Sequence, residues 1–240
     1  MRKSIITILA LAFSAALIAQ DEDRAKSFIG LTGGYANAMG NLTKNDYANE
    51  KSGYANSAGY NMGIEGAYYF HKNIGIGGSF STSSFYTKGL QTMSDGYKDD
   101  FDVDSTTVSV SGKYTFTNFF VGPYFSVPMK KFTFDGRIMG GLTHGVTPKF
   151  QVDLEDQLNA TFYQDASSAN CFGLQAGVGV RYSIIKNLCA KINIDYMYCK
   201  PDFKITNENR ANNAGRLITE YKQPITMLYF NFGLAYQFGK

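Results

Sequence analysis

A chain of 240 residues with 23 Lys and Arg against 20 Asp and Glu carries a formal charge of +3. Loss of Arg2 and Lys3 with an N-terminal leader leaves it nearly neutral, so charge gives no ground for a nucleic-acid partner. Aromatic residues at 15%, charged residues at 18% and 25 Gly suit short strands and turns, and beyond the N-terminus no apolar run reaches the ~20 residues of a spanning helix, so a membrane protein of this composition has to be a barrel.

The first residues, MRKSIITILALAFSAALIAQ, place two bases ahead of an apolar run from Ile5 to Phe13 and then small residues up to Ala19. Residues 1–20 therefore read as a cleaved secretory signal peptide. The apolar core is shorter than a retained span, and no Cys stands at the cleavage site to take a lipid anchor. Residues 21–240 then make the mature part, about 220 residues, a length compatible with one all-β domain.

Within it, period-2 alternation of apolar with small or polar residues predicts strands near residues 28–40, 58–70, 74–86, 112–127, 132–147, 169–183, 188–203 and 224–238. The connections at His71-Lys72-Asn73, at Pro128 to Lys131 and around Ile185 are tight turns, whereas 41–57, 87–111, 148–168 and 204–223 are long and polar. Short and long connections alternate throughout, which in an up-and-down barrel gathers the tight turns at one end and the long loops at the other. Between Thr106 and Val127 the apolar phase shifts from even positions (Val108, Val110, Tyr114, Phe116) to odd ones (Phe119, Val121, Phe125). A bulge near Asn118 within one long strand is the expected cause.

One face of each strand is large and apolar: Met62, Ile64 and Phe80 early, Ile138, Leu142, Leu174 and Ile194 later, and Phe230, Phe232, Leu234, Tyr236 and Phe238 at the end. The opposite face is rich in Gly and Ser and holds the mid-strand charges Glu65, Asp135, Arg137, Arg181, Lys191 and Asp195, three acids against three bases. Facing Arg137, Arg181 and Lys191 toward hydrocarbon would cost roughly 2–4 kcal/mol each near the midplane, a sum comparable with the ~5–15 kcal/mol stability of a whole domain. In a membrane the apolar set must face out and the six charges must pair in the narrow interior of an eight-stranded barrel. The rival is a soluble eight-stranded barrel with the apolar set inside, holding a lipophile as lipocalins do. Parity alone does not separate the two. Against the rival, the apolar face carries too many Phe, Tyr, Ile and Leu for a small lumen, and the other face lacks the frequent Lys and Glu of a soluble exterior.

Aromatic residues collect at strand ends, as in Tyr68, Tyr69 and Phe70, in Phe132 and Phe134, in Tyr182, and in Tyr236 with Phe238, as interfacial girdles do. The leader, eight alternating strands, long loops opposite tight turns and the terminal FNFGLAYQF together resemble the small outer-membrane β-barrel proteins of Gram-negative bacteria, the OmpA/OmpX-like and OmpW-like group. The resemblance covers the mature chain and implies an outer-membrane location. It also implies that the terminal strand, Phe230 to Phe238, is read by the barrel-assembly machinery, although Gly239 and Lys240 follow the closing Phe238 here.

Candidates for chemistry are few. His71 falls in a tight turn, and His144, beside Thr143, near the outer end of a strand, where an interfacial polar role is the expectation. Asp100, Asp102 and Asp104 match the first alternating positions of a calcium loop, but Ser105 replaces the required Gly and Ser111 the closing Glu, so a solvated acidic loop is expected. No catalytic residue, cofactor or metal site is assigned. If Tyr182 faces Leu188 across the sixth and seventh strands, Cys171 faces Cys199 on the inner surface, a candidate disulfide in an exported protein, with Cys189 left free.

The expectation is thus an all-β, eight-stranded antiparallel up-and-down transmembrane β-barrel. It is a non-enzymatic monomer in contact with outer-membrane lipid and lipopolysaccharide, with a structural or surface-interaction role carried by its long loops. The alternatives are a narrow passive pore, a lipid A-modifying enzyme and the soluble lipophile-binding barrel.

Overall fold

The computed structural model describes residues 25–49, 51–155, 160–209 and 217–239. The signal peptide expected over residues 1–20 lies outside them. Eight long strands close a barrel: β1 (Ser27–Met39), β2 (Ala55–Tyr69), β3 (Ile74–Thr87), β5 (Tyr114–Met129), β6 (Phe132–Val146), β9 (Ser168–Ile185), β10 (Leu188–Cys199) and β13 (Ile225–Phe238). Each pairs antiparallel with its neighbour in this order, and β13 returns to β1 in an unbroken register from Ser27 opposite Phe238 to Met39 opposite Thr226. Closure leaves no edge, so backbone groups find partners around the wall.

The tight turns share one end with both ends of the described chain. There the Ala25 amide donates to the Lys72 carbonyl, the Gln237 amide to Asn187, and the Ser183 amide to Lys131. Alternation determines the faces as well. Ile64, Phe80, Leu142, Leu174, Phe232 and Leu234 are exposed on the outer wall, whereas Glu65, Ser83, Thr143, Gln175 and Asn231 are buried inside it.

The long connections are not simply polar loops. After a 3-10 turn at Gly40–Thr43, the segment read as loop 87–111 forms helix α1 (Leu90–Phe101) and strand β4 (Thr106–Ser111). With β7 (Lys149–Leu154), β8 (Thr161–Gln164), β11 (Asp202–Asn209) and β12 (Leu217–Lys222), β4 builds a second, five-stranded sheet in the order β12-β11-β8-β7-β4. This cap continues two barrel hairpins. β6 passes into β7 across Thr147-Pro148, and β10 into β11 across Lys200-Pro201, where a proline without an N–H ends the ladder. The expected single strand over 188–203 is therefore two. α1 covers the β4 side, with Ser94 Oγ donating to the Thr106 carbonyl at 2.8 Å. Val103, Val152, Leu154 and Ala160 form the cap's own core, with Tyr97 and Phe162 packed against it.

Asn118 holds no bulge. β5 pairs with β3 from Tyr114 to Phe125 without a shift, and Asn118 lies opposite Ser81 and Thr143. The phase change has two other causes. The chain breaks at Gly112, whose φ of +92° only glycine adopts readily. Beyond it the even positions Tyr114, Phe116, Phe120 and Tyr124 fill the lumen while the odd positions face outward.

Candidate functional site

Lumen side chains group in rows set by the register of three adjacent strands. Arg137 on β6 and Asp195 on β10 both lie opposite Gly177 of β9; one step down, Asp135 and Asn193 flank Gly179; next, Thr133 and Lys191 flank Arg181. Glycine in the middle position is required by close approach, because a Cβ on Gly177 or on Gly179 would overlap the Asp195 carboxylate or the Asn193 amide.

All six strand charges lie in this lumen, and all are buried. Arg137 donates Nε and Nη2 to the two Asp195 oxygens at 2.8 and 2.5 Å, a bidentate pair. Its Nη1 sits 3.1 Å from Glu65 Oε2 and donates to Tyr124 Oη at 3.2 Å. Glu65 comes from β2 on the far side of the barrel, so its carboxylate crosses the interior. It also accepts from Asn193 Nδ2 at 2.6 Å and from Tyr124 Oη at 3.2 Å, and lies 2.8 Å from Lys191 Nζ. Lys191 makes this ion pair without an aligned hydrogen bond, and the rest of its ammonium rests 3.9 Å from the centre of the Phe28 ring. The second group is the pair Arg181 and Asp135, again bidentate at 2.8 Å through Nε and Nη2. Ser126 Oγ donates to Asp135 Oδ1 at 2.6 Å, Arg181 Nη2 donates to Tyr69 Oη at 3.2 Å, and the Arg181 guanidinium lies 4.3 Å from the centre of the same Phe28 ring. Desolvating such charges is costly, and only this density of partners compensates.

Sequence reasoning found the six charges but not the neutral residues that complete the network: Tyr69, Tyr124, Ser126, Asn193 and Phe28. The inner face is more aromatic than a small, polar reading allows, since Phe28, Phe85, Phe116, Phe120 and Tyr229 are fully buried in it. Parity is the available signal: Tyr69 stands among the girdle aromatics in the sequence, yet it alternates with Tyr68 and points inward.

The terminal-strand residues Phe230, Phe232, Leu234, Tyr236 and Phe238 all face outward. His144 is exposed, with Nδ1 2.7 Å from Asn170 Oδ1 on the neighbouring strand. The acidic run is helical over much of its length rather than a loop. Asp95, Asp99 and Asp100 lie on α1, Asp100 Oδ2 accepts from Tyr47 Oη at 2.6 Å, and among the described residues no group of three His, Cys, Asp or Glu is placed to hold a metal ion. The β9–β10 register differs from the expected one. Tyr182 lies opposite Ala190, and Gly173, not Cys171, lies opposite Cys199: the turn pairs Ile185 with Leu188, and after a one-residue bulge between Leu188 and Cys189 the register runs two residues from the expected one. Cys171 is therefore diagonal to Cys199. The two thiols are still close enough to influence each other, and both are free, as is Cys189.

The family model for the outer membrane protein beta-barrel domain matches residues 5–238. Similar solved structures include Ail, the attachment invasion locus protein of Yersinia pestis, at 16% identity and a TM-score of 0.43 over 89% of this chain and 100% of that one. A major outer membrane protein of Thermus thermophilus is 13% identical with a TM-score of 0.49, covering 90% of this chain and 100% of that one. The outer membrane protease OmpT of Escherichia coli is 11% identical with a TM-score of 0.46, covering 75% of this chain and 63% of that one. No curated protein matches the sequence.

Proposed function

The chain belongs to the outer membrane protein beta-barrel domain family, and from that premise we propose that it is a sealed, non-enzymatic barrel whose work is surface interaction through its cap. The observation that carries this reading is Glu65. From one wall it meets Arg137 and Lys191 on the opposite wall, so charged side chains span the bore, while Phe28, Tyr69 and Tyr124 pack the remaining width. An eight-stranded barrel leaves an interior just wide enough for such filling.

The five-stranded cap stands on the end opposite the tight turns, the end that faces the exterior in barrels of this class. Its strands are hydrogen-bonded into one sheet, an ordered surface that suits selective contact. The apolar outer wall contacts outer-membrane lipid and, in the outer leaflet, lipopolysaccharide, and the aromatic β13 serves as the strand read by the assembly machinery. The protein acts as a monomer, with no apolar charge-free strand edge in the barrel left to pair. His144, hydrogen-bonded to an amide on the outer wall, has the surroundings of an interfacial residue and not of a catalytic base.

Purified protein in planar bilayers tests the reading. A silent membrane is expected, and steady single-channel openings would establish a pore instead. In cells, His144→Ala is expected to leave the lipid A profile unchanged; an altered profile would make the barrel an enzyme.

A further inference from the structure

The two ends of the barrel differ in charge. Among the described residues every acid outside the lumen lies toward the cap, at position 46 and within 95–104, 153–165 and 202–220. The tight-turn end holds none of them. It carries Lys26 ahead of β1, Lys72 in the β2–β3 turn, Lys130 and Lys131 in the β5–β6 turn and Lys186 in the β9–β10 turn. We propose that this lysine rim binds the anionic headgroups of inner-leaflet phospholipids, an interaction surface separate from the cap.

Lys130, Lys131 and Lys186 are exposed and Lys26 is partly so, within reach of a ligand outside the barrel. Lys26 Nζ donates to the Lys186 carbonyl at 3.5 Å, which ties two corners of the rim together and neutralises neither charge. No carboxylate of the described residues forms a salt bridge with Lys26, Lys131 or Lys186. In the sequence Asp21, Glu22 and Asp23 stand beside Arg24, too few acids to offset five lysines. The β5–β6 turn adds a separate sign. Met129 pairs with Phe132, so Lys130 and Lys131 form a two-residue connection in which Lys130 takes a φ of +56°. Hairpins favour Asn or Gly at such a left-handed position, and here a charged side chain stands against that preference.

The residues between the lysines point to a lipid as the source of the anion. Phe70 comes just before His71 and Lys72, Met129 and Phe132 bracket the β5–β6 pair, and Ile184 and Ile185 precede Lys186; all five apolar side chains are exposed. A rim that met a soluble polyanion would gain nothing from Phe and Ile at its turns. At a bilayer surface those side chains enter the acyl boundary, while the lysine stems carry their ammonium groups to headgroup level. The attraction of such cations for anionic lipid fades within a Debye length, ~8 Å at physiological ionic strength, so it weakens with salt.

The test places the full-length barrel in nanodiscs of equal parts phosphatidylcholine and phosphatidylglycerol, releases it into mild detergent and counts retained lipids by native mass spectrometry. Phosphatidylglycerol is expected to exceed phosphatidylcholine by about fivefold or more. The excess should shrink with added salt and fall toward parity when Lys26→Gln, Lys131→Gln and Lys186→Gln are combined. Lys→Arg at the same three positions keeps the charge and should keep the excess. The heat-dependent mobility shift on gels shows whether each variant is folded; if the triple Gln variant is not, Lys131→Gln with Lys186→Gln, both exposed, decides. Equal retention of the two lipids, or an excess that the Gln variants leave unchanged, would overturn the proposal. Binding to purified peptidoglycan sacculi, abolished by the Gln variants and accompanied by no lipid preference, would assign the rim to the cell-wall polymer and overturn it too. Both nanodisc leaflets have one composition, so the result is independent of the direction of insertion, and planar-bilayer conductance bears on the sealed lumen alone.

Discussion

Arg137 and Asp195 meet over Gly177. They sit on strands that flank β9, at positions opposite the same glycine, and close a bidentate pair of 2.8 and 2.5 Å across the space a side chain there would fill. The ion cluster and the glycine are therefore one structural unit.

Truncating one partner should expose that unit. Arg137→Ala leaves Asp195 and Glu65 buried beside a single Lys191, and is expected to cost about 3–5 kcal/mol in urea unfolding followed by far-UV circular dichroism. The double replacement Arg137→Leu with Asp195→Leu removes both charges and is expected to be milder than either single truncation. A double variant at least as damaged as the singles would show that the pair stabilises beyond the cost of an orphaned charge.

Glycine replacement separates lumen from wall. Gly177→Ala drives a methyl into the Asp195 carboxylate and should cost about 1–3 kcal/mol, as overpacking does. At Gly136 nothing lies within 4 Å of an added Cβ, so Gly136→Ala should be near neutral. Equal effects in the same unfolding assay would mean that the lumen relaxes more freely than its packing implies.

Orientation in the bilayer is checked at Phe232, which faces outward at mid-strand with 63% of its surface exposed. Phe232→Arg should destabilise the folded barrel in lipid by about 2–4 kcal/mol, read from the heat-dependent mobility shift on gels against denaturant. Indifference to this substitution would argue that the apolar wall does not meet hydrocarbon.

The seating of α1 depends in part on Tyr47, whose hydroxyl donates to Asp100 on α1 while its ring meets Tyr97 edge-on at 5.3 Å. Tyr47→Phe should loosen α1 by up to about 1 kcal/mol, seen as faster amide exchange in residues 90–101. Burial, then the hydrogen bond to Asp100, raises the Tyr47 pKa above that of a free phenol. A raised folded-state pKa contributes stability that is complete below the unfolded value near 10 and is lost as pH climbs through the folded one. Exchange in α1 should therefore be unaffected by Tyr47 ionisation up to about pH 10 and should accelerate more in wild type than in Tyr47→Phe above it.

The diagonal thiols of Cys171 and Cys199 are expected to bridge when the protein matures in an oxidising compartment. Intact mass measured without reductant should show the loss of one hydrogen pair, abolished by Cys199→Ser and retained in Cys189→Ser. Free thiols alone in the exported protein would dismiss the bridge.

Eight barrel strands and the outward face of each were readable along the chain, because alternation is a local property: whatever Leu234 pairs with, Ala235 points the other way. The same logic placed all six charges inside. Partnership was not local. That Glu65 reaches Arg137 and Lys191 depends on which walls closure sets face to face, and the two-residue shift that separates Cys171 from Cys199 arises at a turn whose geometry no periodicity encodes. The cap stayed hidden for a related reason. β4, β7, β8, β11 and β12 are four to eight residues long and polar on much of their surface, so their alternation is too short to stand out from a loop until they lie edge to edge. Period and parity thus determined the wall and its two faces, while closure alone decided which lumen groups meet and that the long connections form a second sheet over the mouth.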